Sequence, residues 1–123
     1  MPIAKLNNTI TFALSVSNRH DSAKWYKEML GFELLYHADE AGWSELNTFT
    51  PNVTLGLGEH EKPKPGNAVP VFGVVDIDSA RKAMETAGVA FDGETIVVEG
   101  MVSTASFYDP DGNALMLAQD LSG

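Results

Sequence analysis

The chain has 123 residues, 44% of them hydrophobic, and a formal net charge of −9 at pH 7. This length and apolar content suit one compact domain with a hydrophobic core, and the acidic balance excludes a nucleic-acid binder that relies on clustered Lys and Arg. The sequence has no cysteine, which excludes disulfides and thiolate metal sites. We expect a cytoplasmic protein, because no apolar run is long enough to cross a bilayer and the N-terminus lacks the layout of a signal peptide.

The first half of the chain predicts a strand, a helix and three further strands. Residues 8–16 alternate between apolar and small polar side chains, which indicates a strand with one face on a core. Residues 22–30 predict a helix that ends at Gly31. We interpret the apolar stripe of this helix as its buried face. The stripe consists of Ala23, Trp25, Tyr26, Met29 and Leu30, and the further strands are expected at 33–38, 43–48 and 52–57.

The second half repeats this plan after a polar, proline-rich linker at 59–67. Residues 68–75 predict a strand, and 79–87 predict a helix that is closed by Gly88. The tetrapeptide that starts at Asp21 aligns with the one that starts at Asp78, and the same offset pairs Gly31 with Gly88. This periodicity indicates an internal duplication. The later strands are expected at 89–98, 101–108 and 114–118.

A tight turn joins the last two strands at Asp109-Pro110-Asp111-Gly112. Pro110 presets the backbone for the first corner of a type I turn, and Gly112 suits a position with positive φ. Because the flanking runs are short, apolar and β-prone, the turn predicts an antiparallel hairpin.

These elements predict an α+β fold of two βαβββ modules, at about 8–58 and 68–119, within a single domain 1–123. Each module alone would leave one face of its curved sheet uncovered. We therefore expect the two sheets to pair into a partly open barrel that is lined by the faces opposite the helices.

The chain resembles the vicinal oxygen chelate superfamily, which includes glyoxalases, bleomycin-resistance proteins, extradiol dioxygenases and fosfomycin-resistance enzymes. The resemblance rests on the duplication and on two motifs, S-x-x-(aromatic)-Tyr-x-x-x-Leu-Gly-Phe at 22–32 and Asp-Pro-Asp-Gly-Asn at 109–113. It covers essentially the whole chain and implies a glyoxalase-like fold and a homodimer. It does not select a function, since one scaffold hosts many chemistries.

The resemblance also implies where a divalent ion would bind. Metal enzymes of the superfamily place His, Gln or Glu on the first and last strands of each module. In this sequence the four positions fall at about Thr11, Gly56, Val69 and Met116. None of these residues supplies the imidazole or carboxylate that such ions need. We therefore expect no metal and no cofactor there.

We predict a metal-free small-molecule-binding protein that holds a small apolar, aromatic or cationic ligand. Trp43 would stack on a planar ligand, Glu45 would pair with a cation or an amine, and Met116 would supply a polarizable wall. The predicted ligand-binding residues are Thr11, Trp43, Glu45, Asn47, Val69, Val71, Tyr108 and Met116.

Two alternative functions stay open, and so do two alternatives at the residue level. One is a lyase, isomerase or dioxygenase-like enzyme of the same superfamily, either metal-free or with a non-standard or displaced metal site that involves Glu45 and His37. The other is a scaffold whose pocket is vestigial. At the residue level, Trp43 packs in a core or a dimer interface, and Glu45 is a solvated strand residue. The sequence identifies neither the ligand nor any catalytic residue.

Overall fold

The computed structural model describes residues 2–110 and 112–123. Within these residues the chain forms eight strands, two α-helices and one short 3₁₀ turn, which confirms the α+β class and the two βαβββ modules. None of the described helices is both long and apolar enough to span a membrane. The elements are β1 (Leu6–Val16), α1 (Arg19–Leu30), β2 (Glu33–Ala38), the 3₁₀ turn (Asp39–Ala41), β3 (Trp43–Asn47), β4 (Val53–Glu59), β5 (Val69–Val74), α2 (Ile77–Thr86), β6 (Phe91–Val98), β7 (Val102–Tyr108) and β8 (Ala114–Asp120).

The chain divides into two compact units, Ile10–Val69 and Pro70–Gly123, the second of which also takes in Met1–Thr9. In the Ile10–Val69 unit, β1 pairs in parallel with β4, β4 pairs antiparallel with β3, and β3 pairs antiparallel with β2. In the Pro70–Gly123 unit, β5, β8, β7 and β6 repeat these pairings in the same order. The two halves therefore share one topology, as the sequence duplication predicts.

The core of the Ile10–Val69 unit lies between α1 and one face of its sheet. Ala23 of α1 packs in a cluster with the strand residues Leu46, Leu55 and Leu57. Tyr26 packs against this cluster and stacks on Phe32, with ring centroids 5.8 Å apart.

The predicted buried stripe of α1 is only partly correct. Trp25, Met29 and Leu30 are exposed, at 52%, 63% and 56% of their surface. Their helical spacing matches a core-facing stripe, but the side of α1 that packs into the core carries Ala23 and Tyr26.

The core of the Pro70–Gly123 unit is a second cluster, formed by α2 and the facing sides of three strands. Alternation along β5 and β8 leaves Val71 and Met116 on the face opposite α2, where the two residues are register partners. The buried members of the cluster are Val74, Ile77, Ala80, Met84, Ala105 and Leu117.

Both helices begin earlier than the sequence predicts, because their N-caps lie further upstream. Asn18 caps α1, where its Oδ1 accepts a hydrogen bond from the Asp21 amide at 3.0 Å. Asp76 caps α2 in the same way through the Ser79 amide at 3.2 Å. Gly31 ends α1 in the left-handed conformation, with φ of 74°, which confirms its predicted role.

The turn between β7 and β8 has the predicted geometry at its described residues. The Gly112 amide donates to the Asp109 carbonyl at 3.0 Å, and Gly112 has φ of 85°. The Asp109 side chain accepts from the Asn113 amide at 2.8 Å. Asp111, the fourth residue of the predicted turn, lies outside the described residues.

Candidate functional site

The candidate site is the face of β3 that points away from α1. Ser44 and Leu46 alternate toward the helix and have no exposed surface. Trp43, Glu45 and Asn47 therefore share the opposite face, where all three are half-buried.

The carboxylate of Glu45 accepts hydrogen bonds from two side chains on this face, and a third side chain extends the group. Oε1 accepts a hydrogen bond from the Trp43 indole at 2.6 Å, and Oε2 accepts from the Thr54 hydroxyl at 2.6 Å. The Thr11 hydroxyl lies 2.7 Å from that of Thr54 but 3.4 Å from Oε2. Thr54 gives its proton to Glu45, so Thr11 donates to Thr54 and the two hydroxyls form a short chain that ends on the carboxylate.

The Trp43 ring lies flat across β4, above Gly56 and Gly58. Cζ2 of the indole occupies the space that a Cβ atom at Gly56 would need, and Cζ3 lies 3.5 Å from the corresponding point at Gly58. The two glycines therefore let the ring approach the strand closely enough for its N–H to reach Glu45.

The other predicted ligand-binding residues take different places. The Asn47 side-chain oxygen accepts a hydrogen bond from the Phe49 amide at 2.8 Å and therefore stabilises the turn after β3. Val69 begins β5, and Val71 lies opposite Met116. Tyr108 ends β7 opposite Ala114. The structure thus brings Thr11, Trp43 and Glu45 together in one hydrogen-bonded group. It pairs Val71 with Met116 on neighbouring strands. The Asn47 side-chain oxygen is bound within a turn.

The four positions that the superfamily resemblance gives to metal ligands do not fit a metal. The Thr11 hydroxyl is bonded to Thr54, and Val69 and Met116 offer no imidazole or carboxylate. At Gly56 the indole of Trp43 fills the space where a side chain would start.

His37 and Glu45, which the displaced-metal alternative combines, lie on opposite faces of the sheet. His37 is the register partner of Ser44, and its Nδ1 lies 2.6 Å from the Ser44 hydroxyl, on the α1 side. Glu45 is the register partner of Tyr36 and points the other way. These two residues therefore do not form a common site.

The α1 side of β3 carries a second polar group that is built around Arg19. This side chain is 6% exposed, and its guanidinium donates to Ser44 Oγ at 2.9 Å and to the Trp43 carbonyl at 3.1 Å. The same guanidinium pairs with Asp39 at 3.0 Å and with Glu59 at 3.1 Å. It therefore ties the first turn of α1 to β3, β4 and the 3₁₀ turn.

Two histidines extend this group toward solvent. The rings of His20 and His37 stack with centroids 3.8 Å apart, and His20 Nε2 lies 3.1 Å from Asp39 Oδ1. Partial burial lowers the pKa of His37 below its usual value, His20 and Arg19 lower it further, and Asp39 acts in the opposite direction. Hydrogen bonds from His20 and Arg19 hold the pKa of Asp39 below its usual value.

Sequence reasoning missed this group because it placed Arg19 and His20 in a break before the helix. The available signal was Asn18, an N-cap residue that makes Arg19 the first residue of α1. Even with this helix start, the approach of Asp39 and Ser44 to Arg19 depends on how α1 packs on the sheet, and local sequence patterns do not predict that packing.

Solved structures with the same fold come from enzymes and from proteins of the superfamily. Methylmalonyl-CoA epimerase from Mycobacterium tuberculosis is 16% identical over 98% of this chain and 92% of its own, with a TM-score of 0.77. A variant of the Streptomyces coelicolor methylmalonyl-CoA epimerase, in complex with 2-nitronate-propionyl-CoA, is 15% identical over 94% of this chain and 99% of its own, with a TM-score of 0.71. A glyoxalase/bleomycin resistance protein/dioxygenase superfamily member from Vibrio splendidus 12B01 is 19% identical over 94% of this chain and 100% of its own, with a TM-score of 0.64. At these identities the similarity establishes the fold.

Sequence comparison establishes the family. None of the curated proteins matches the chain in sequence. The Glyoxalase/Bleomycin resistance protein/Dioxygenase superfamily model matches residues 9–117, which is most of the chain. This match agrees with the two βαβββ modules and with the superfamily structures of the same fold. The chain therefore belongs to the glyoxalase/bleomycin resistance protein/dioxygenase superfamily.

Proposed function

We propose that this chain is a small-molecule-binding protein that takes an aromatic or cationic ligand on the Glu45 face of β3, without a metal ion at the superfamily's usual position. The observation that carries the proposal is the Glu45 carboxylate, a half-buried anion whose described hydrogen-bond donors are all neutral side chains. None of the described ion pairs involves it. A carboxylate of this kind is ready to bind a ligand cation, because charge-assisted hydrogen bonds are the stronger ones.

The arrangement leaves Glu45 able to accept more hydrogen bonds. Each carboxylate oxygen has about two acceptor sites, and one donor lies close to each, Trp43 on Oε1 and Thr54 on Oε2. These donors fix the side chain without neutralising it. A ligand ammonium group therefore meets an oriented acceptor, which lowers the entropy cost of binding.

Trp43 supplies the aromatic part of the site. Its ring is fixed by the hydrogen bond to Glu45 and by the contact with β4, and it keeps part of its surface exposed. An oriented, partly exposed indole suits stacking on a planar ligand. The S. coelicolor epimerase of the same fold was solved with a CoA compound, which supports small-molecule binding as the role of this scaffold.

The test compares three probes of similar shape and different charge, namely benzylamine, benzyl alcohol and benzoate. Isothermal titration of the full chain gives a Kd for each probe. We expect benzylamine to bind most tightly and Glu45→Gln to weaken its binding about tenfold, because the substitution removes the charge and keeps the shape. Binding of benzyl alcohol should change little.

Glu99→Gln is the matched control, since Glu99 is an exposed residue in the turn between β6 and β7. This variant removes the same charge from the whole molecule and should leave all three Kd values unchanged. Equal binding of the three probes, or equal loss in both variants, would contradict the proposal.

The competing function is a lyase, isomerase or dioxygenase-like enzyme of the same superfamily with a non-standard or displaced metal site. Epimerases occur among the solved structures of this fold, so an enzyme is the function to compare with our proposal. A chelator separates the two functions. Our proposal predicts that EDTA leaves benzylamine affinity unchanged, whereas a metal enzyme would lose both turnover and metal-dependent ligand contacts.

We also propose that the chain forms a homodimer, as the superfamily resemblance implies, and that it lies in the cytoplasm. Exposed apolar side chains on α1, which include Trp25, Met29 and Leu30, are compatible with a partner surface. Analytical ultracentrifugation tests the assembly, and a monomer at micromolar concentration would refute it.

A further inference from the structure

Three side chains with metal-binding atoms meet beside the first turn of α1, on the opposite face of β3 from Glu45. His20, His37 and Asp39 each offer one ligand atom, and these atoms lie within 4.8 Å of one another. Two imidazoles and one carboxylate form a donor set that suits Zn²⁺ and its first-row neighbours. We propose that these three residues bind one divalent transition-metal ion, with water in the remaining positions.

The ring of His37 is held in place by a buried partner. Its Nδ1 is engaged by the Ser44 hydroxyl at 2.6 Å, which leaves Nε2 as the nitrogen for the ion. Ser44 is itself fully buried and fixed by Arg19 at 2.9 Å. Metal-bound histidines usually have their second nitrogen held by such a partner, which fixes the ring orientation.

His20 and Asp39 supply the movable part of the site. Nε2 of His20 and Oδ1 of Asp39 are 3.1 Å apart, and the two side chains are 55% and 65% exposed. Bonds from Zn²⁺ to these atoms are about 2.0–2.2 Å long, which places two tetrahedral ligand atoms about 3.3–3.6 Å apart. The pair therefore needs to open only slightly, while its nitrogen and oxygen turn toward a common point with His37. Exposed side chains can rotate to do so, and the ion then replaces the hydrogen bond between them.

The local charge permits a cation at this position. The Arg19 guanidinium opposes it, but both Asp39 and Glu59 pair with that guanidinium. The chain as a whole carries a net charge of −9, which favours cation binding.

The experiment is a titration of the full, chelator-treated chain with ZnCl₂, read by isothermal calorimetry and by the shift in Tm. We expect one Zn²⁺ per chain and a higher Tm, because the ion joins α1 to the 3₁₀ turn only in the folded state. His20→Ala and Asp39→Asn should each weaken binding by about tenfold or more, in line with the loss of a ligand or its support. Mg²⁺, which prefers oxygen ligands, should give no shift.

His60→Ala is the matched control, because His60 is the third histidine of the chain and lies after β4. This variant should bind Zn²⁺ as the natural chain does, and so should Glu45→Gln, since Glu45 belongs to the opposite face. The proposal is overturned if Zn²⁺ does not bind, if His20→Ala binds it unchanged, or if His60→Ala removes the binding. His20 is exposed, so its replacement tests the site without disturbing the fold.

Discussion

At the residue scale, Gly56 and Gly58 differ in how closely the Trp43 indole ring approaches them, although both lie on β4 beneath that ring. A methyl group at position 56 would overlap Cζ2 of Trp43, whereas one at position 58 would lie 3.5 Å from the ring, in ordinary contact. The position of Trp43, and with it the donor for Glu45 Oε1, therefore depends on Gly56 in particular.

We predict that Gly56→Ala displaces the Trp43 ring and lowers the free energy of unfolding by about 1–3 kcal/mol, the usual cost of overpacking. Gly58→Ala is the matched control and should be neutral or stabilising by less than about 1 kcal/mol, because alanine loses less backbone entropy than glycine in a strand. Urea denaturation measures both. Equal effects of the two substitutions would contradict the close contact between the indole and Gly56.

Arg19 is the other residue on which local structure depends. Its replacement by alanine would remove the charged donor of the buried Ser44 hydroxyl and of the Trp43 carbonyl. We expect a loss of about 1–3 kcal/mol in the free energy of unfolding, the usual cost of removing a hydrogen-bond partner from buried polar groups. Asp39 and Glu59 are exposed, so water solvates both carboxylates in the variant, and the loss of their ion pairs adds little to the cost in unfolding free energy. Chemical denaturation measures the loss, and a change smaller than about 0.5 kcal/mol, typical of surface sites, would contradict this role.

At the element scale, the helix starts show what local sequence signals determine. The strand pattern 8–16, the stop at Gly31 and the hairpin at Asp109 follow from alternation and turn chemistry, and the structure confirms them at the described residues. The sequence leaves the N-cap positions ambiguous because several residues that can cap a helix occur close together before each helix. The contacts of Arg19 with Asp39 and Glu59 span many residues, so no local signal reveals them.

The cap of α2 also predicts how stability depends on pH. Backbone and side-chain hydrogen bonds from Ser79 hold the folded-state pKa of Asp76 below the usual value for an aspartate. This carboxylate therefore stabilises the fold above the unfolded-state pKa, and its contribution is lost as the pH falls through the lower folded-state pKa.

We predict that Asp76→Asn is less stable than the natural chain at pH 7 and that the two converge in acid, below the folded-state pKa of Asp76. Unfolding free energies measured from pH 7 down to acid test this. Asn18→Asp at the cap of α1 is the reciprocal change, and it should introduce a similar acid dependence there. A difference between Asp76→Asn and the natural chain that persists unchanged in acid would contradict the charged cap.

At the scale of the whole molecule, each half has its own buried cluster, and the same helix-on-sheet packing occurs twice. Leu57 is buried in the cluster beneath α1, and Leu117 is buried in the cluster beneath α2. The duplicated sequence made this plan predictable, because each apolar strand face aligns with its counterpart. The side chains on the opposite faces were predicted by alternation, but their hydrogen bonds, such as those of Glu45, were not.

We predict that Leu57→Ala and Leu117→Ala each lower the free energy of unfolding by about 2–5 kcal/mol. Since the two residues share no cluster, their costs should add in the double variant. Thermal and chemical denaturation give the three values. A double variant that costs much less than the sum would show that one half already loses its core when the other is weakened.

The central claim, that a small molecule binds beside Glu45, is tested most directly by the two indole N–H signals in a ¹H–¹⁵N NMR spectrum. Trp43 donates its indole N–H to Glu45, whereas Trp25 lies exposed on α1 and serves as an internal control. On titration with benzylamine we predict that the Trp43 signal shifts to saturation, that the Trp25 signal stays in place, and that Glu45→Gln moves the midpoint about tenfold higher. A Trp43 signal that does not move, or one that moves identically in Glu45→Gln, would contradict the claim.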